Sequence, residues 1–175
     1  METPGFIDGL KALSQAGLVF ESANPDPRLI RSLLRVADEA KDLRIVVDHL
    51  PNAPALPQTA ALREYQNDLR ALSQHPTVFV KLSEIPVVRD GNLVRDAAFY
   101  RDRLDVLWDL FGEGRVIFGS DWPNSDHVAP FSDTLGIVHQ YMAQSLEARR
   151  RSISGRTPQQ STAGAQDVPT SPVFD

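Results

Sequence analysis

Four times along this chain a short, apolar, β-branched run alternates with a longer stretch whose apolar residues recur every three or four positions. That alternation admits few folds. Parallel strands need a crossover long enough for a helix, so repeated strand–helix units specify a parallel α/β sheet. Leu18-Val19-Phe20, Leu43–Val47, Thr77–Leu82 and Arg115–Phe118 read as the strands. Helical spacing links Phe6, Leu10 and Leu13 in Gly5–Gln15, and Leu62, Tyr65, Leu69 and Leu72 in Ala60–Gln74. Asp26-Pro27, an N-cap followed by proline at the first helical position, opens a helix that turns Leu29, Leu33, Val36 and Ala40 inward. Phe99, Leu104, Leu107, Trp108 and Phe111 mark a helix over Asp96–Phe111, and Leu135, Val138 and Met142 mark another near Ser132–Gln144.

Composition narrows the function classes. With 175 residues, 42% of them hydrophobic, the chain can build one core. A formal charge of −5 and no clustered basic face argue against a nucleic-acid partner. The absence of cysteine removes disulfides, thiolate zinc sites and cysteine nucleophiles. No run approaches the ~20 apolar residues that cross a bilayer, and Met1 is followed by Glu-Thr-Pro-Gly rather than a signal segment, so no membrane partner and a cytoplasmic location are expected. After Glu147 the periodicity ends. Residues 1–148 are expected to fold, and 149–175, from the Arg149–Arg151 run onward, to form a disordered, solvated tail.

In parallel α/β folds the chemistry gathers just beyond the carboxyl ends of the strands. Three of those ends are polar here: Asp48-His49 after the second strand, Lys81-Leu82-Ser83 at the third, and Gly119-Ser120-Asp121-Trp122-Pro123 after the fourth. Asp121 could take a proton from an attacking water or ligate a cation; its alternative is to cap the following turn. His49 could act as a base, a substrate partner or a ligand, or could simply bond a neighbouring carbonyl. Lys81 and Ser83 alternate on one face. A lysine there needs a partner, and Asp121 or a substrate anion could be one. Ser83 is a substrate contact or a hydrogen-bonding filler. Trp122, beside Asp121, offers an apolar wall. His75 lies at the amino end of its strand and His127 in the loop after Asp121, and neither is assigned a role.

Read in order, Phe6-Ile7-Asp8-Gly9-Leu10, Gly17-Leu18-Val19-Phe20, Ile45-Val46-Val47-Asp48-His49, Val80-Lys81-Leu82-Ser83 and Phe118-Gly119-Ser120-Asp121-Trp122-Pro123 resemble the amidohydrolase-related TIM-barrel hydrolases. The similarity is to their sugar-lactone and pyrone-dicarboxylate lactonase-like branch, from about Phe6 to Arg150, and Gly-Ser-Asp-Trp-Pro is its most specific motif. The resemblance implies that the four strands are strands five to eight, so that residues 1–148 form the second half of a TIM barrel, in keeping with a chain shorter than the ~250 residues of a whole one. It implies a hydrolase that opens a lactone or similar carbonyl ester, with Asp121 activating water or binding a metal and His49 assisting at the carbonyl. Lys81, Ser83 and Trp122 would position a small-molecule substrate.

Two departures accompany it. The family's first strand carries a His-x-His pair that supplies metal ligands or substrate contacts, and none exists here, so a divalent metal such as zinc would have only Asp121 and His49. With half the rim missing, little catalysis is expected of the chain alone. The alternative is a non-catalytic module that self-associates through its exposed sheet edges or pairs with a separate amino-terminal half. The family's closing aromatic helix is also absent after Ile153; codons for Ser154–Gly164, shifted by one inserted base, can be read as such a helix, so the tail is expected to be a frameshift product.

Overall fold

The computed structural model describes residues 4–23, 26, 28–49 and 60–154. In chain order it forms α1 (Pro4–Gln15), β1 (Val19–Ser22), α2 (Arg28–Glu39), β2 (Arg44–Val47), α3 (Ala60–Leu72), β3 (Val78–Leu82), β4 (Val88–Arg89), β5 (Asn92–Leu93), α4 (Arg101–Phe111), β6 (Val116–Phe118) and α5 (Phe131–Ser154). Each expected strand and helix is present. Local chemistry sets several ends. Gly17 leaves α1 with a positive φ of 70°, and Asp26 Oδ1 accepts the Arg28 N–H at 2.9 Å where α2 starts. The helix expected from Asp96 begins instead as a 3-10 turn over Ala97–Tyr100, because the Asp96 carboxylate takes the Ala98 N–H at 2.9 Å. β4 and β5, which the sequence reading did not identify, form a hairpin closed by Asp90-Gly91, both at positive φ.

The main sheet has the order β1-β2-β3-β6, all parallel. That order never reverses. Right-handed crossovers between strands laid down in sequence place every helix on the same side of a sheet. Ile45 and Val47 of β2 and Val78, Val80 and Leu82 of β3 face that side, in one core with Leu33, Val36, Leu69, Leu72, Leu104, Leu107, Ile137 and Tyr141. Each such buried aliphatic side chain contributes about 1.5–3 kcal/mol by leaving water. The opposite face presents Val19 and Glu21, Val46 and Asp48, Phe79 and Lys81, and Ile117 and Gly119, as the register and the alternation of side chains require. Val19 is 43% and Ile117 38% exposed on it.

By its internal contacts the chain divides into residues 1–142, which hold the sheet and its core, and 143–175. α5 was expected to end near Gln144 but runs to Ser154, since Glu147, Ala148 and the arginines after them are good helix formers that extend it once apolar periodicity has ceased. The rest of the expected tail, residues 155–175, and Pro27 lie outside the described residues. No described helix is long and apolar enough to cross a membrane.

Candidate functional site

The chain leaves β2, β3 and β6 through residues in the left-handed region: His49 at φ 62°, Glu84 at 51° and Asp121 at 57°. Outside glycine such a conformation costs on the order of 1–2 kcal/mol, and it turns each chain sharply as it clears the sheet. The three side chains converge. One ligand-capable atom from each lies within 4.8 Å of the others. Their donor set, one imidazole nitrogen and two carboxylate oxygens, suits zinc or manganese. The Glu84 side chain is 58% exposed, and its Oε1 is 3.9 Å from His49 Nδ1.

Each loop is fixed by its neighbours. The Ser125 N–H donates to the Asp121 carbonyl at 3.0 Å, the Ser125 hydroxyl to the Ser120 carbonyl at 2.9 Å, and the Trp122 N–H to Ser120 Oγ at 3.1 Å. Asn124 Nδ2 stands 3.4 Å from Asp121 Oδ1, and the Trp122–Pro123 bond is cis. On the loop after β3, the Tyr100 hydroxyl donates to the Val94 carbonyl and accepts the Val87 N–H, anchoring the segment that begins at Glu84. Ser83 is buried behind His49, its Oγ 3.0 Å from the His49 backbone nitrogen and 3.1 Å from Nδ1. Beside this group lies a concavity of about 330 Å³ lined by Glu84, Pro86, Asp121, Asn124, Ser125, His127 and Val128, at the lower end of small-molecule sites.

The residues singled out in the sequence divide accordingly. His49 and Asp121 come together, and Ser83 touches His49. Trp122 stands on the rim, 62% exposed. Lys81 does not pair with Asp121. Among the described residues its partners are Glu21, which accepts its hydrogen bond at 2.9 Å, and Asp48, whose Oδ1 is 2.8 Å away. Parallel pairing of β1, β2 and β3 places these three side by side on the open face. Gly119 completes the arrangement: a Cβ there would lie 2.7 Å from Lys81 Cδ, so a larger residue would displace the lysine. His75 is at the far end of β3, 3.5 Å from Asp38, and the His127 ring bonds the Asn124 carbonyl. Glu84 was missed. Its signal was its place, the next residue after Ser83 past the end of a strand.

Burial opposes the charge on Lys81, but Asp48 and Glu21 outweigh it and hold its pKa above the ordinary lysine value. Burial also raises the Tyr65 hydroxyl, and raises Tyr100 against the opposing Val87 hydrogen bond. All three shifts favour the protonated form in the folded chain. Their stabilisation is therefore complete below the unfolded values, about 10 for tyrosine and 10.4 for lysine, and is lost as pH climbs through the raised ones. Thermal unfolding followed by circular dichroism should give a level Tm to about pH 9.5 and a steep fall above it. Tyr65→Phe should make that fall shallower, and a Tm unchanged to pH 11.5 would contradict the assignment.

The family described as Amidohydrolase matches residues 7–158. The L-fucono-1,5-lactonases of Burkholderia multivorans and Burkholderia ambifaria are each 32% identical to this chain, over 62% and 76% of it. Those stretches are 38% and 44% of the two relatives, so the chain spans less than half the length of either. Among solved structures, an amidohydrolase from Burkholderia multivorans superposes with a TM-score of 0.69 with HEPES bound and 0.68 with zinc bound. At 24% identity, covering 86% of this chain and 54% of that one, the likeness is one of fold.

Proposed function

The chain belongs to the amidohydrolase family, and from that premise we propose that it is the second half of a (β/α)8 barrel, a hydrolase whose complete form opens a lactone or similar cyclic ester. The observation that carries this reading is the convergence of His49, Glu84 and Asp121 at the carboxyl ends of consecutive parallel strands, where barrel hydrolases hold their chemistry. A sheet whose strands follow in sequence and whose helices share one face supports the barrel half, with residues 1–148 as its body and 149–175 appended to it. The activity of the two Burkholderia relatives makes L-fucono-1,5-lactone the first substrate to test.

In this mechanism Asp121 removes a proton from water, whose oxygen bonds to the lactone carbonyl carbon. His49 donates a hydrogen bond to the carbonyl oxygen as it gains negative charge. Collapse of the tetrahedral adduct breaks the ring C–O bond, and the leaving alkoxide takes the proton held by Asp121. Trp122 supplies an apolar wall, Ser83 holds His49, and Lys81 sets the charge of the floor beneath. Glu84 and Asp121 would hold a divalent cation such as zinc, joined by His49 only where its ring gives up the hydrogen bonds above, and the cation would supply Lewis acidity to the carbonyl.

Among the described residues one sheet face is uncovered, with Val19 and Ile117 exposed and β1 and β6 as unpaired edges, which favours a second reading, a module completed by association with another copy or with a separate half. One experiment addresses both. The chain is assayed with L-fucono-1,5-lactone alone, and again after co-refolding with a fragment carrying the part of the Burkholderia ambifaria lactonase that it does not match. Hydrolysis is expected only in the mixture. A mixture that forms a stable complex without turnover would favour the non-catalytic module.

A further inference from the structure

Ser83, 1% exposed, holds a single hydroxyl between two groups of one residue. The His49 backbone N–H donates to Ser83 Oγ at 3.0 Å, and His49 Nδ1 stands 3.1 Å from the same oxygen. A hydroxyl has one proton and two lone pairs, and the backbone N–H occupies one of the lone pairs. Were the ring protonated on Nδ1, it would occupy the other, and the hydroxyl proton would be left buried with no acceptor among the described residues. With Nδ1 bare, the proton goes to Nδ1 and every group is satisfied. Two carboxylates face the ring: Glu84, whose Oε1 is 3.9 Å from Nδ1, beyond hydrogen-bond reach, on a side chain 58% exposed, and Asp121, which offers an oxygen within 4.8 Å of a ring nitrogen.

We propose that Ser83 is a positioning residue that fixes neutral His49 as the Nε2–H tautomer, so that the ring enters the site as a hydrogen-bond donor and not as a base. The tautomer stands on these two contacts alone; its use, donation to a lactone carbonyl, rests on the hydrolase reading above. An Nε2–H has no lone pair to accept a proton from water, which leaves that task to a carboxylate. The same tautomer withholds Nε2 from a cation, so coordination through that nitrogen requires the ring to move its proton to Nδ1 and the Ser83 proton to lose its acceptor.

The test reads the ring directly. In the 15N-labelled chain, two-bond 1H–15N correlations are recorded in mildly alkaline buffer, where imidazoles are neutral, and His49 is assigned by its loss in His49→Gln. The native ring should show a protonated Nε2 and a bare Nδ1, in a ratio of roughly tenfold or more, the factor one net buried hydrogen bond supplies. Ser83→Ala should lower that ratio at least about threefold, while Ser83→Thr, which keeps the hydroxyl, should retain it. A native ring protonated on Nδ1 overturns the proposal, and so does a ratio unchanged in Ser83→Ala; should that variant not fold, the native spectrum decides. No substrate is present, so failure here leaves the hydrolase reading standing, and failure of the co-refolding assay leaves the tautomer standing.

Discussion

Asparagine in place of Asp121 should lower kcat for lactone hydrolysis by the co-refolded chain on the order of 10²–10⁴-fold, with KM changed by no more than a few fold. The substitution removes the one property required of the residue, its ability to hold a proton, and little else. Asparagine adopts the left-handed backbone region readily, so the turn at φ 57° survives, and its side-chain oxygen can keep the contact with Asn124. The 3-10 turn over Asn124–His127 is anchored through the Asp121 carbonyl, which the exchange does not touch. Steady-state kinetics on both proteins, with far-UV circular dichroism as the check on folding, separate the outcomes. A variant within threefold of the parent removes Asp121 as the base and shifts attention to Glu84, the other carboxylate in reach.

What the sequence made legible was whatever is periodic or local. β2 and β3 announce themselves as Arg44–Val47 and Val78–Leu82 because strands beneath a helical layer must be apolar on that face, and the helices because their inward stripes repeat at 3.6. Asp121 and His49 could be picked out because each lies in the short polar segment that directly follows an apolar strand. Glu84 could not be singled out by type: an exposed glutamate after a serine is unremarkable until the backbone at φ 51° turns it toward the other two. The β4–β5 hairpin had its signal in Asp90-Gly91, but flanking strands of two residues each are too short to show alternation. The partners of Lys81 belong to pairing rather than to pattern. Glu21 precedes it by 60 positions, and only the parallel register of β1 on β2 and of β2 on β3 brings the two charges together.

That register makes Lys81→Met the stability test with the largest expected effect, a loss of about 2 kcal/mol. The side chain of Asp48 is 9% exposed and, among the described residues, its Oδ1 has no other hydrogen-bond partner, so the ammonium 2.8 Å away is what compensates its charge. Removing the lysine strands a buried carboxylate. The figure lies below the range for fully enclosed pairs because the lysine is itself one-fifth exposed and the contact with half-exposed Glu21 is worth little in water. The second variant separates a charge effect from mere loss of packing. Asp48→Leu combined with Lys81→Met replaces both ions by apolar groups on a face that already carries Val46 and Phe79, and should recover most of the loss. Urea unfolding gives both free energies. If the double variant is instead less stable than Lys81→Met alone, the lysine's contribution lies in its packing against Gly119 rather than in its charge.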